Sequence, residues 1–141
     1  MVRVMASGVF DLIHPGHISY LNQAKAFGDH LTVVIASDST VRRNKHEPVT
    51  PAEMRALIVG SLKPVDEAII GGDGDIFDTV AKVRPDVIVL GYDQRFDEKE
   101  LEASLQDRGF KGIRVVRATE VADDLNATRR IVAKIRRMGS Q

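Results

Sequence analysis

From its first residues to its last, the chain alternates short runs of β-branched and aliphatic residues with longer stretches of helical period. This alternation restricts its fold more than any other feature. The strand candidates are Val2–Ala6, Leu31–Ser37, Glu67–Ile70, Val87–Leu90 and Ile113–Arg117. The helix candidates are Gly16–Phe27, Ala52–Leu62, Ile76–Val83, Glu98–Arg108 and Ala127–Met138. Strands separated by helices of about three turns are repeated β-α units, which form a parallel sheet with helices on both faces. Right-handed crossovers and short loops then predict a Rossmann-like, doubly wound α/β fold with a five-stranded parallel sheet. A (β/α) arrangement with another strand order is the competing expectation.

The length, 141 residues, suits a single domain spanning 1–141. A domain of that size buries roughly 68–70% of its unfolded surface and needs no disulfide or structural zinc. The chain has no cysteine, which excludes a disulfide framework, a cysteine zinc site and a thiol nucleophile. Its apolar stretches are too short to span a bilayer, and Val2–Met5 opens into a strand pattern rather than a signal peptide. A cytoplasmic protein with no membrane partner is expected. Twenty basic and twenty acidic residues cancel to a formal net charge of zero. Nucleic-acid binders usually carry a basic excess, so no nucleic-acid partner is expected, whereas a small phosphorylated ligand needs only a local cluster of positive groups.

Two loops carry clear turn chemistry. Pro48-Val49-Thr50-Pro51 predicts a helix start with Thr50 as N-cap, Pro51 at the first helical position and Glu53 two residues further on. Gly71-Gly72-Asp73-Gly74-Asp75 lacks the Lys and Ser/Thr of a P-loop and reads as a turn after the third strand.

The first strand ends at Ser7-Gly8, and in doubly wound sheets ligands bind beyond the carboxyl ends of strands. Gly8 lets the backbone approach a ligand closely. Pro15 and Gly16 sit where a helix begins, so free N–H groups and the positive end of the helix dipole face the same space as His14 and His17. Phosphoryl and nucleotidyl transfer need charge neutralised on phosphate oxygens, with attacking and leaving oxygens roughly in line. Two imidazoles beside a helix N-terminus supply donors for that task. From the residues alone, two other readings stand beside transfer: metal ligation by Asp11, His14 and His17, and histidines that merely cap the helix or lie on the surface.

The string Gly8-Val9-Phe10-Asp11-Leu12-Ile13-His14-Pro15-Gly16-His17 resembles the G-x-F-D-x-x-H-x-G-H signature of the cytidylyltransferase-like superfamily. The resemblance implies a nucleotidylyltransferase in which His14 and His17 contact the nucleotide phosphates through the transition state. It also implies Val9, Phe10, Pro15 and Gly16 as nucleotide contacts.

The resemblance covers nearly the whole chain. Leu62–Ile69, Asp86–Gln94 and Phe96-Asp97-Glu98 are similar to the pattern of archaeal-type FAD synthases (FMN adenylyltransferases). Glycerol-3-phosphate cytidylyltransferases carry R-T-x-G-I-S-T-T after the last strand. Here that stretch begins Arg117-Ala118-Thr119-Glu120, and only the arginine matches. FAD synthase relatives can carry a Cys pair before the last helix, and this chain has none. FMN is therefore the expected acceptor, with glycerol phosphate or another small phosphate ester, and CTP as donor, as the alternative.

On this resemblance Asp93 contacts the nucleotide near its ribose or base, and Arg117 and Thr128 join the ATP site. Lys45, on the polar stretch Arg42–His46, reaches the phosphates as a third catalytic group. Arg55, in a P-x-x-x-R helix element, and Arg129 are further phosphate contacts. A divalent cation, Mg²⁺ by expectation, neutralises the triphosphate with Asp11 as its protein ligand. Homodimers occur in the superfamily. Two other classes stay open: a nucleotide-sensing module without chemistry, and a metal-dependent hydrolase.

Overall fold

The computed structural model describes residues 1–44, 47–120 and 128–139, the side chains of 128 and 129 excepted. Its elements alternate along the chain: β1 (Arg3–Gly8), α1 (Pro15–Lys25), β2 (His30–Ile35), α2 (Asp38–Asn44), α3 (Ala52–Gly60), β3 (Glu67–Ile70), α4 (Ile76–Val83), β4 (Val87–Leu90), α5 (Glu98–Asp107), β5 (Arg114–Arg117) and α6 (Thr128–Gly139). The strands form one sheet in the order β3-β2-β1-β4-β5, and every pairing is parallel. The expected Rossmann-like architecture is what is seen, and the order in which strands are added to the sheet reverses between β1 and β4.

Side chains that alternate along the strands build two cores. Val4 and Ala6 of β1, Leu31, Val33 and Ile35 of β2, and Val87 and Val89 of β4 pack with Leu21 and Ala24 of α1 and Val59 of α3. Met5, Val34, Ile88, Leu90 and Val115 point the other way, onto Val80 and Val83 of α4 and Leu101 and Leu105 of α5. A sheet buried on both faces explains why β4 reads as a continuous apolar run rather than an alternating one. Asp75 caps α4 by accepting from the amides of Phe77 and Asp78. Asp97 caps α5 by accepting from the Glu100 amide.

Two local expectations change. Helix α2 lies in a stretch read as a polar loop, because Val41 is its only buried residue and leaves no periodic signal. Helix α3 is entered through Pro51 in the N-cap position, without a side-chain cap. The reason is that Thr50 is committed elsewhere: its amide and hydroxyl both donate to Asp11.

Candidate active site

At the carboxyl end of β1 the chain makes two left-handed kinks within three residues, at Phe10 (φ 55) and Leu12 (φ 62). They fold the Phe10 ring back beneath Gly8, where a Cβ would lie 2.9 Å from Phe10 Cε2, so any larger residue at position 8 must displace the ring. The buried Phe10 ring stacks on Tyr20, with centroids 6.3 Å apart and planes 8° apart. Its other contact is His17, centroid to centroid 5.2 Å.

His14 is the N-cap of α1, and the two histidines cap the helix reciprocally. His14 Nδ1 accepts from the Gly16 amide at 3.1 Å. His17 Nδ1 accepts from the His14 amide at 3.2 Å. The ring centroids are 3.8 Å apart. An Nδ1 that accepts from a backbone N–H carries a lone pair, so in the neutral ring the proton resides on Nε2. The backbone thus selects the same tautomer twice, and each ring presents its Nε2 as an N–H donor. A cleft of about 690 Å³ runs along α1 from His14, lined by Ile13, Pro15, Ile18, Ser19, Asn22 and Gln23.

Asp11 and Arg55 form the foundation of this loop. The buried Asp11 carboxylate accepts from the Val49 amide at 2.6 Å, the Thr50 amide at 3.0 Å and the Thr50 hydroxyl at 2.7 Å. Its lone pairs hold the segment before α3, where the sequence had suggested a metal ligand. Among the described residues no three His, Asp or Glu side chains converge as a metal cluster. Arg55, expected at the phosphates, instead points into the protein and is 1% exposed. It donates to the carbonyls of Thr50, Val9 and Ala36 and to the Asp38 carboxylate, all within 2.9 Å.

On the far side of the crevice, Gly91 to Glu98 is organised around Arg117. Its guanidinium donates to the carbonyls of Gly91, Tyr92, Gln94 and Phe96 and to the Glu98 carboxylate. Arg117 therefore shapes the turn that carries Asp93, where a direct ATP contact had been expected. Asp93 itself is exposed at the end of β4. Lys45 lies outside the described residues, as do the side chains of Thr128 at the start of α6 and of Arg129.

The residues brought together at one edge of the sheet are thus Val9, Phe10, His14, Pro15, Gly16 and His17, with Asp93 on the neighbouring strand end. The sequence that builds this edge matches the cytidylyltransferase-like family model over residues 5–134. The chain belongs to the cytidylyltransferase-like family.

Within that family it is 55% identical to the FAD synthase of Aciduliprofundum boonei, over 96% of this chain and 91% of that one. It is 48% identical to the FAD synthase of Thermoplasma acidophilum, over 96% of this chain and 94% of that protein. Among solved structures it matches one from Thermoplasma volcanium, described as a lipopolysaccharide core biosynthesis protein, with a TM-score of 0.83 and 47% identity. That match covers 86% of this chain and 98% of the other. As a family member the chain is a nucleotidyltransferase.

Sequence reasoning missed two residues that brace this edge of the sheet. Tyr20 reads as one more apolar position of α1, yet its hydroxyl donates to the Val89 carbonyl at 2.6 Å and meets Ser7 N and O at 3.2 Å. Burial pushes its phenol above the ordinary tyrosine range. The second is Gln94, whose Nε2 donates to the Ser7 carbonyl at 2.9 Å. No spacing rule points to either, because both act where β1 and β4 part. Arg55 did carry a signal: it shares the buried stripe of α3 with Ala52 and Val59.

Proposed function

We propose that the chain is an FAD synthase, transferring AMP from ATP to the phosphate of FMN with release of pyrophosphate. The observation that carries this reading is the reciprocal capping of His14 and His17, whose Nδ1 atoms both accept from backbone amides at a helix N-terminus and so leave Nε2 as the N–H of each ring. The curated relatives named FAD synthase, similar over nearly the whole chain, support FMN as the acceptor.

ATP lies across the carboxyl edge of the sheet, its phosphates at the start of α1 against Pro15, Gly16 and the two imidazoles. Val9 and Phe10 line the nucleotide, and Asp93 accepts from it at the end of β4. An oxygen of the FMN phosphate attacks the α-phosphorus. The bond from that phosphorus to the bridging oxygen breaks, and its electron pair leaves with pyrophosphate. The attacking phosphate is already an anion, so neither histidine takes a proton. His14 and His17 stabilise the charge that builds on the α-phosphoryl and leaving oxygens. Lys45 is assigned as a third cation at the phosphates, and Thr128 and Arg129 as further contacts at the start of α6.

Arg55 and Arg117 are read as positioning residues, one behind Val9 and the other behind Asp93. Asp11 is read as the anchor of the segment that leads from Lys45 to α3. Mg²⁺ usually binds through substrate phosphates with one or two carboxylates, and the described residues provide no protein cage for it. The triphosphate is the carrier for such a cation, which supplies charge neutralisation. The chain is read as one domain acting in the cytoplasm, and no helix among the described residues is long and apolar enough to cross a membrane.

The test is a matrix of ATP and CTP against FMN, glycerol phosphate and phosphocholine, read by pyrophosphate release. Turnover with ATP and FMN alone is expected. Activity with CTP and glycerol phosphate in its place would overturn the assignment, and ATP binding without turnover on any acceptor would indicate a sensor.

A further inference from the structure

Among the described residues, one buried side-chain polar atom has no hydrogen-bond partner, and it is Gln94 Oε1. Its orientation is dictated by its neighbour. The Ser7 carbonyl can only accept, so the amide must turn Nε2 toward it, at 2.9 Å, and Oε1 the other way. The last β1–β4 pair is Ala6 with Val89. Ser7 and Gly91 thus flank the point where the two strands separate, which in sheets of this order is the ligand crevice. The Tyr20 hydroxyl closes the same gap at its base, spanning Ser7 and the Val89 carbonyl. Gln94 lies above it, its Cγ 3.5 Å from where a Gly91 Cβ would stand.

A buried acceptor without a donor is destabilising, and such atoms in folded proteins call for an explanation. The oxygen is shielded from water where the strands part, so the donor it lacks is one that a ligand entering the crevice would bring. With Nε2 engaged, Gln94 selects for donors only. Asp93, charged and exposed next to it, is the better acceptor for ribose hydroxyls. A neutral amide oxygen in a dry crevice suits a neutral N–H.

We infer that Gln94 Oε1 accepts a hydrogen bond from the exocyclic amine of the nucleotide base, making Gln94 a specificity-determining residue. This rests on ATP as the donor substrate and adds an element that favours an amino-substituted base over an unsubstituted one. The pair to compare is ATP and purine riboside triphosphate, which has hydrogen in place of the 6-amine.

The wild-type enzyme should favour ATP by roughly tenfold or more in kcat/KM, the scale of one buried hydrogen bond left unmade. Gln94→Met, which keeps length but removes both polar atoms, should shrink that preference to within roughly threefold, mainly by losing ATP. Equal use of the two triphosphates by wild type, or an equal loss on both in the variant, overturns the inference; the latter outcome leaves Gln94 a structural brace for Ser7. A preference for ATP over 2′-deoxy-ATP that vanishes in Gln94→Met would place a ribose hydroxyl there instead, and also overturns it. Calorimetric binding of the same triphosphates gives the ratio without turnover, so a chain that fails to adenylylate FMN still decides the role of Gln94.

Discussion

Thr50 holds Asp11 twice, through its backbone amide at 3.0 Å and through its hydroxyl at 2.7 Å, across 39 positions of sequence. With the Val49 amide at 2.6 Å, this makes Asp11 the anchor between the histidine loop and α3. Asp11→Ala leaves the Val49 and Thr50 amides, part-buried at these bonds, without their acceptor, and about 1–3 kcal/mol in all is the relevant scale. We expect a drop of a few kcal/mol in urea unfolding and a lower kcat. The Mg²⁺ concentration for half-maximal rate should not change; a shift of tenfold or more would restore Asp11 as a metal ligand.

The two roles of His14 separate in one substitution. Asparagine is as good an N-cap as any residue, so His14→Asn should unfold within about 1 kcal/mol of wild type. It presents no Nε2–H to the α-phosphate, and kcat should fall by roughly 10²–10³, the scale for one preorganised donor. Turnover near the wild-type rate would remove His14 from the chemistry.

Arg55 donates to three carbonyls and one carboxylate with its side chain wholly buried. Removing one member of such a network typically costs about 3–5 kcal/mol. Arg55→Met is therefore expected to melt far below wild type, while the KM for ATP of the fraction that stays folded rises less than its kcat falls. A stable variant with only a raised KM for ATP would return Arg55 to direct phosphate contact.

The acid side of the stability curve should report on Asp66. A hydrogen bond from Lys25 at 2.5 Å and one from the Leu31 amide at 2.8 Å hold its carboxyl below the usual carboxylate range. A depressed folded-state value contributes stability above the ordinary carboxylate pKa of about 3.9 and loses it as pH falls through the lower folded value. Asp66→Asn should thus lower Tm at neutral pH, with the gap to wild type closing as pH falls below the ordinary carboxylate range. The pair is partly exposed, so added salt should narrow the gap as well. A gap that stays constant with pH would assign the effect to packing.

The sheet was legible because buried parallel strands leave dense runs such as Val87–Leu90, and because α1, α3, α4 and α5 follow with little punctuation. The reacting end was legible because Gly8 to His17 concentrates its chemistry in consecutive residues. What could not be read was the direction in which a polar side chain turns. Arg55 and Arg117 look like phosphate ligands in the sequence, yet each meets backbone carbonyls brought close only by tertiary folding. Thr50 looks like a helix cap, and a carboxylate far upstream takes both its donors. Gln94 and Tyr20 gave no signal at all, because their partners are main-chain atoms of strands they do not belong to.

The left-handed backbone at Leu12 (φ 62) sets heat resistance against turnover. A branched side chain in that conformation costs about 1–2 kcal/mol, a deficit that glycine or asparagine would relieve. Selection for survival at high temperature would enrich such replacements at position 12. Selection for rate would purge them, since a relaxed loop holds Phe10 and the two imidazoles less firmly. The same residue is thus a place where lineages adapted to different temperatures should diverge while the histidines stay fixed.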